Sequence, residues 1–420
     1  MTNKSLRFLD LFAGAGGLSE GFIRAGFSPV AHVEMSRAAC YTLKTRIARH
    51  WLTSNKKEEL YFNYLNGDIT RETLYSHVSD NRFNSVINEE IEDKTLLSIF
   101  KKIDKLNENK KIDLIIGGPP CQAYSIIGRS RDSEKMKGDH RNYLYLYYSE
   151  FLRRYKPEYF IFENVLGLMS AKSENEYGYF SSMKSSFSKS GYEIEANILS
   201  ANDYGVLQNR KRVIIFGKKK GNSKVFPVLD EWNPDVLVNE IFKDLPELNA
   251  GCGSVIPCKL KSYKGDYLFK SGIKNDTFPV TWHQTRPNSK QDLEIYRIAV
   301  KHWNKGQQRL SYSELPERLK THNNTESFTD RFKVVAGNSK ACHTVVAHIA
   351  KDGHYYIHPD IVQNRSLSVR EAARLQTFPD DYFFESESGK PSRTAAFTQI
   401  GNAVPVLMAE KIAKGLLSII

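Results

Sequence analysis

Short apolar runs, each closed by glycine, proline or charge, set the rhythm of the first 220 residues. Arg7 to Phe12 is one such run and predicts a strand. Leu18 to Ala25 has helical spacing, and Gly26 suits the left-handed position after its end. Further strands are predicted over Pro29 to Glu34, Ile112 to Ile116, Tyr159 to Phe162, Tyr192 to Leu199 and Val213 to Phe216, with a helix over Tyr143 to Tyr155. Alternation of this kind predicts an α/β fold built on a doubly wound, mostly parallel sheet.

Two stretches break the rhythm. Arg71 to Lys111 is polar, with a helical stretch near Lys94 to Leu106, and reads as a surface insertion. After Gly217 comes a basic run, Lys218, Lys219, Lys220 and Lys224, and then residues 225–360 rich in Pro, Gly and aromatics. That region predicts a second, smaller, irregular and β-rich domain. From Ser368 the pattern is helical again: Ser368-Val-Arg-Glu371 is a capping box and Pro379 closes the helix. The division expected is 1–220 plus 395–420 for the first domain and 221–394 for the second.

Composition narrows the class. Net charge is +12, which suits a polyanionic partner such as nucleic acid. No apolar run reaches the ~20 residues that span a bilayer, and the start lacks a signal-peptide core, so a soluble, cytoplasmic protein is expected. Five cysteines, an odd number, argue against a disulfide framework. Cys252 and Cys258 lie six apart without a CxxC pair, a poor match to zinc-ligand spacing, and no metal is expected.

Candidate chemistry begins at the first strand, which runs into Phe12-Ala-Gly14-Ala-Gly16-Gly17 and then a helix at Leu18. Glycines there let the backbone turn tightly and approach a ligand. Glu34 stands 20 positions after Gly14, at the end of the second strand, where an acidic residue binds ribose hydroxyls. The third glycine of G-x-G-x-x-G is missing, which disfavours a dinucleotide pyrophosphate and with it a nicotinamide dehydrogenase. An adenosine ligand without phosphate, S-adenosylmethionine, fits better. Asp68 is expected at the adenine amino group, with Met35 and Ile69 packing on the ring faces.

The most informative stretch is Ile112-Asp-Leu-Ile-Ile-Gly117-Gly118-Pro119-Pro120-Cys121-Gln122. The prolines stiffen the backbone and aim Cys121 outward from the carboxyl end of the sheet, where ligands of open α/β sheets bind. The chain resembles the cytosine-5 DNA methyltransferase family. Five blocks stand in the family's order: Asp10-Leu-Phe-Ala-Gly-Ala-Gly-Gly17, Gly117-Gly-Pro-Pro-Cys-Gln122, Glu163-Asn164-Val165, Gln208-Asn-Arg-Lys-Arg212 and Gln399-Ile-Gly-Asn-Ala-Val-Pro405.

The resemblance implies a Rossmann-like S-adenosylmethionine-dependent methyltransferase of the prokaryotic restriction-modification type. Cys121 would be the covalent nucleophile and Gln122 its neighbour in the catalytic loop. Glu163 would hold cytosine N3 and the amino group, protonated in order to donate. Arg212 would contact O2, and Arg210 would support the nucleophile loop. Pro119, Asn402 and Val404 would line the cofactor pocket, the last two through a return of the 399–405 block to the first domain. The 221–394 region would be the target-recognition domain. Ala123 to His140, with Arg129, Arg131, Lys135 and Lys137, would close over a flipped base and grip phosphates. The implied partner of this monomer is double-stranded DNA, in the nucleoid, with a cognate restriction endonuclease acting on the same site. The alternatives are a tRNA cytosine-5 methyltransferase and a non-catalytic DNA-binding relative.

Overall fold

A computed structural model describes residues 5–120, 143–171, 178–321 and 329–420. Seven strands form its main sheet: β1 (Arg7–Leu11), β2 (Ser28–Glu34), β3 (Val86–Asn88), β4 (Leu114–Gly117), β5 (Tyr159–Asn164), β6 (Tyr192–Ser200) and β8 (Lys211–Lys219). Their order is β3-β2-β1-β4-β5-β8-β6. All pairings are parallel except those of β8, which runs antiparallel to both β5 and β6. The order reverses between β1 and β4, the switch point beside which such sheets bind ligands.

Both faces of the sheet are covered, which is why its strands read as continuous apolar runs. One face buries Leu9, Ile115, Phe160 and Phe162 under helices Asp93–Asn107, Leu144–Tyr155 and Tyr179–Lys189. The other buries Phe8, Leu114, Ile116 and Ile214 under Gly17–Arg24 and Val406–Leu417. Those last two helices touch closely: a Cβ on Gly21 would fall 2.4 Å from Ala409 Cβ.

The structure changes two expectations. Arg71 to Lys111 is no mere insertion: it carries β3 and the amphipathic helix Asp93–Asn107, whose Ile99, Phe100 and Ile103 are buried on the sheet. β3 has only three residues, too short to show a periodicity. The region after Gly217 is irregular, as expected, but poor in strand among the described residues. A two-residue β9 (Cys342–His343) pairs with β7 (Gln208–Asn209), and up to residue 360 the rest is isolated bridges, 3-10 turns and helices Tyr267–Lys270 and Lys290–Gly306.

Arginines do there what strand ladders do elsewhere. Arg370 donates to the carbonyls of Thr281 (2.8 Å), Pro379 (2.9 Å) and Tyr382 (2.9 Å). Arg374 pairs with Asp244 at 2.6 Å and Asp380 at 2.7 Å, and Arg365 with Glu371 at 2.7 Å. All three guanidinium groups are fully buried. The capping box is present: Ser368 accepts from Glu371 N (3.2 Å) and Glu371 accepts from Ser368 N (2.7 Å). A large core joins this segment to helices Arg37–Ser54 and Glu58–Asn66, and a small separate core forms around Ile295, Tyr312 and Phe332.

Burial alone would raise the Asp244 carboxyl, but Arg374 and Lys274 beside it hold it below its usual range. The same balance, with Arg365 and His358, holds Glu371 well below its usual range. Carboxyls lowered in the folded state contribute stability above the unfolded value near ~4, and that contribution is lost as pH falls through the folded value. Arg374→Ala is expected to cost about 3–5 kcal/mol in urea unfolding at pH 7, because buried Asp380 loses its close partner and buried Asp244 keeps only Lys274. A cost below ~1 kcal/mol would show that the pairs are dispensable.

Candidate active site

Every candidate group that is described and sits at the sheet stands at its carboxyl edge. β1 ends in a turn where Phe12 (φ 58°), Gly14 (φ 55°) and Gly16 (φ 82°) are left-handed. A Cβ on Gly14 would meet nothing within 4 Å, so that backbone faces open space. Gly14 N donates to Glu34 Oε2 (2.8 Å) and Ser36 N to Oε1 (2.7 Å), so the carboxylate already shapes the turn. Burial raises the Glu34 carboxyl, although the amides of Ser36 and Gly14 work against it. Met35 is 58 % exposed beside it, available to a flat ligand.

A buried carboxyl that sequence reasoning quoted but gave no role is Asp10, only 1 % exposed. Its Oδ2 has no hydrogen-bond partner among the described residues. Burial first, and then the Glu34 carboxylate, push this carboxyl well above the usual range. A buried, unpaired acid next to another acid is an environment that a cationic ligand would relieve.

The structure does not bring Asp68 to this cluster. Asp68 is exposed at the end of helix Glu58–Asn66, its N–H bonded to Asn63 O (2.8 Å), and Ile69 packs against the large core. At the end of β3, Asn88 Nδ2 donates to the carbonyls of Glu34 (3.0 Å) and Met35 (2.9 Å). Only the sheet order reveals this, because Asn88 belongs to no recognisable block.

The glycine–proline turn follows β4. A Cβ on Gly117 would fall 2.4 Å from Leu11 O, and one on Gly118 would fall 2.6 Å from Glu163 Oε2. Gly117 therefore requires glycine against the Leu11 backbone, and a side chain at Gly118 would displace the Glu163 carboxylate. Pro119 is buried, and its carbonyl accepts from Asn164 Nδ2 at 3.4 Å. Cys121, Gln122, Arg129, Arg131, Lys135 and Lys137 lie outside the described residues. Two other thiols are unsuited to act as thiolates near neutral pH: burial pushes Cys40 and Cys342 each up to about 12.

Glu163 and Arg212 meet at this edge. Glu163 ends β5, Arg212 begins β8, and Arg212 Nε lies 2.7 Å from Glu163 Oε1. Both side chains are mostly buried, each 12 % exposed. Glu163 Oε1 is thus engaged while Oε2 faces Gly118 of the glycine–proline turn. A second Arg212 donor, Nη1, bonds Lys211 O at 2.8 Å.

Arg210, the neighbour of Lys211 in sequence, is buried. It donates to Val345 O (2.7 Å), Ala403 O (2.8 Å) and Gly401 O (3.5 Å). Gln208 donates to Leu375 O (2.7 Å) and Gln376 Oε1 (2.9 Å), and Gln376 donates to Ile400 O (2.8 Å). These groups tie the 399–405 block to the sheet. The block returns as expected: a Cβ on Gly17 would fall 2.5 Å from Val404 O. Val404 is buried and Asn402 is exposed.

Comparison with known proteins places this arrangement in a family. A family model described as C-5 cytosine-specific DNA methylase matches residues 6–63 and 77–418. Type II methyltransferase M.Bpa9945I of Bacillus paralicheniformis is 40 % identical over 450 residues, covering 98 % of each chain. Type II methyltransferase M1.HphI of Haemophilus parahaemolyticus is 29 % identical, covering 98 % of this chain and 87 % of that one. Among solved structures, a protein assigned as a DNA modification methyltransferase encoded within an E. coli prophage has the same fold, with TM-score 0.63, 24 % identity and 99 % of each chain covered.

The Asp10 environment has a measurable consequence. A carboxyl raised in the folded state binds its proton more tightly than in the unfolded chain, so stability falls as pH rises from the unfolded value through the folded one. Asp10→Asn should therefore raise the thermal midpoint of the ligand-free protein at pH 8. A lowered midpoint would mean that the charged carboxylate is stabilising there.

Proposed function

Because this chain belongs to the C-5 cytosine-specific DNA methylase family and is a DNA cytosine-5 methyltransferase, we propose that it draws its methyl group from S-adenosylmethionine and works through a covalent bond from Cys121. The observation that carries the reading is the Glu163–Arg212 pair, 2.7 Å apart at the carboxyl edge and packed against Gly118 of the Cys121 loop.

Cytosine carbon 5 is too electron-poor to take a methyl group directly. Addition of the Cys121 thiolate at carbon 6 breaks the aromatic ring, while Glu163 donates a proton to N3, leaving carbon 5 enamine-like. Arg212 is the donor for O2. S-adenosylmethionine supplies an electrophilic methyl on a sulfonium when bound. A base then takes the carbon 5 proton, the electron pair re-forms the 5,6 double bond, Cys121 departs as thiolate, and the N3 proton returns to Glu163. Gln122 and Arg210 have positioning roles, Arg210 through the 399–405 block it holds.

The glycine turn fits the cofactor. Phe12, Gly14, Gly16, Gly17 and Leu18 give the backbone approach, Glu34 the ribose contact, and Met35 an apolar face. Pro119, Asn402 and Val404 complete the wall. Asp10 would offset the cationic end of the ligand, and Asn88 would take the adenine amino contact expected of Asp68, whose expected ring-face neighbours are Met35 and Ile69. The substrate base must leave its stack to reach this edge. Residues 221–394 serve target recognition, with Arg129, Arg131, Lys135 and Lys137 on the phosphates. The protein acts as a cytoplasmic, nucleoid-associated monomer beside an endonuclease of the same site. Among the described residues no helix is long and apolar enough to cross a membrane.

Bisulfite sequencing of DNA from cells expressing the protein tests the reaction. Wild type should protect cytosines in one sequence context. Cys121→Ser should abolish protection, and Glu163→Gln should lower the methylation rate about 10²–10⁴-fold. Full protection by Cys121→Ser would overturn the covalent step, and no protection by wild type would overturn the reaction.

A further inference from the structure

The amino edge of the sheet, opposite the site, carries a basic row of its own. Backbone bonds define that row: Asp113 N to Arg7 O (2.9 Å), Glu158 N to Asp113 O (3.0 Å), Lys219 N to Glu158 O (3.0 Å) and Lys220 N to Gly191 O (2.9 Å). It crosses β1, β4, β5, β8 and β6, four strand spacings or about 19 Å.

Acids on this edge are already engaged. Glu158 pairs with Lys111 at 3.4 Å, Asp113 with Lys111 at 3.7 Å, and Glu193 with Lys218 at 3.4 Å. Lys105, Lys156, Lys189, Lys219 and Lys224 have no ion pair among the described residues, and Lys220 reaches only Ser188 O and Oγ. Helix ends account for part of this charge, since Lys105 and Lys189 stand in last turns where cations offset the carbonyl dipole. Lys220 also meets a helix end, through Ser188 O of helix Tyr179–Lys189, whereas Lys219 and Lys224 stand on a strand end and a turn. All three line a hollow of about 510 Å³ with Gly221, Asn222, Ser223 and Glu158.

We propose that this amino edge is a second DNA-binding surface, which holds a duplex segment other than the one being methylated. A row of about 19 Å faces about 11 phosphates of a duplex. The carboxyl edge lies a full strand length away, about 20 Å for the six residues of β5. Duplex DNA, stiff over about 150 base pairs, does not fold back to touch both edges within one short segment. Two segments are therefore held by two edges. The inference rests on the proposed function only for naming DNA as the polyanion. Its use would be to keep the enzyme on long DNA while the catalytic edge searches.

The test saturates the protein with an unlabelled 20-base-pair duplex that contains the methylated sequence, then measures capture of a labelled duplex without that sequence. Wild type should hold the second duplex with a strong salt dependence. The triple variant Lys219→Glu, Lys220→Glu, Lys224→Glu should weaken that capture at least tenfold, while methylation of the short duplex keeps its rate. The neutral triple variant to Gln should lower the slope of log affinity against log salt by about 3. An unchanged thermal midpoint separates these effects from misfolding. Wild type that captures no second duplex, or variants that capture it as wild type does, would overturn the proposal. Loss of methylation by wild type would instead overturn the reaction and leave the capture measurement readable.

Discussion

Arg210 holds carbonyl oxygens from two segments that lie more than a hundred residues further along the chain, Val345 on one side and Gly401 and Ala403 on the other. A buried guanidinium needs acceptors for its N–H groups, and here three carbonyls accept from its Nη1 and Nη2. The contact fixes the 399–405 block against the end of β8, and so sets where Val404 meets Gly17. With Gln208 and Gln376 it forms one polar knot inside an apolar surround. The cofactor turn, the start of the middle region and the C-terminal helices all meet there. Were it loosened, the wall of the pocket would move while the sheet itself stayed intact.

Most of the sheet was legible because its strands are buried on both faces and so read as apolar runs with clear ends. The glycine turn, the Gly117-Gly118 platform and the Glu163 and Arg212 positions were also legible, since each stands at a strand terminus where chemistry gathers. Legibility failed where local pattern carries no signal. β3 is three residues long and ends in Asn88, so its role at the pocket comes only from lying beside β2. The burial of Arg210 reverses the ordinary reading of a basic residue in a basic block. Strand was overestimated after Gly217 because Arg286, Arg365, Arg370 and Arg374 collect the carbonyls that ladders would otherwise pair.

Charge is sorted in this molecule by location. Buried arginines inside the middle region are matched to carboxylates or carbonyls and contribute to stability. Arg212, at the carboxyl edge, is matched to one carboxylate, Glu163. At the amino edge Lys219 and Lys224 have no ion pair among the described residues. The same residue classes thus serve cohesion, catalysis and binding, and burial with partner type separates the three.

The account stands on a proposed covalent bond from the sulfur of Cys121 to the pyrimidine ring. A duplex carrying 5-fluorocytosine at the methylated position blocks the final proton loss and should trap that bond. Incubation with S-adenosylmethionine, digestion and mass spectrometry are predicted to find the modified nucleotide on the peptide that contains Cys121. A stable complex without a covalent bond, or a bond to Cys252 or Cys258, would contradict it.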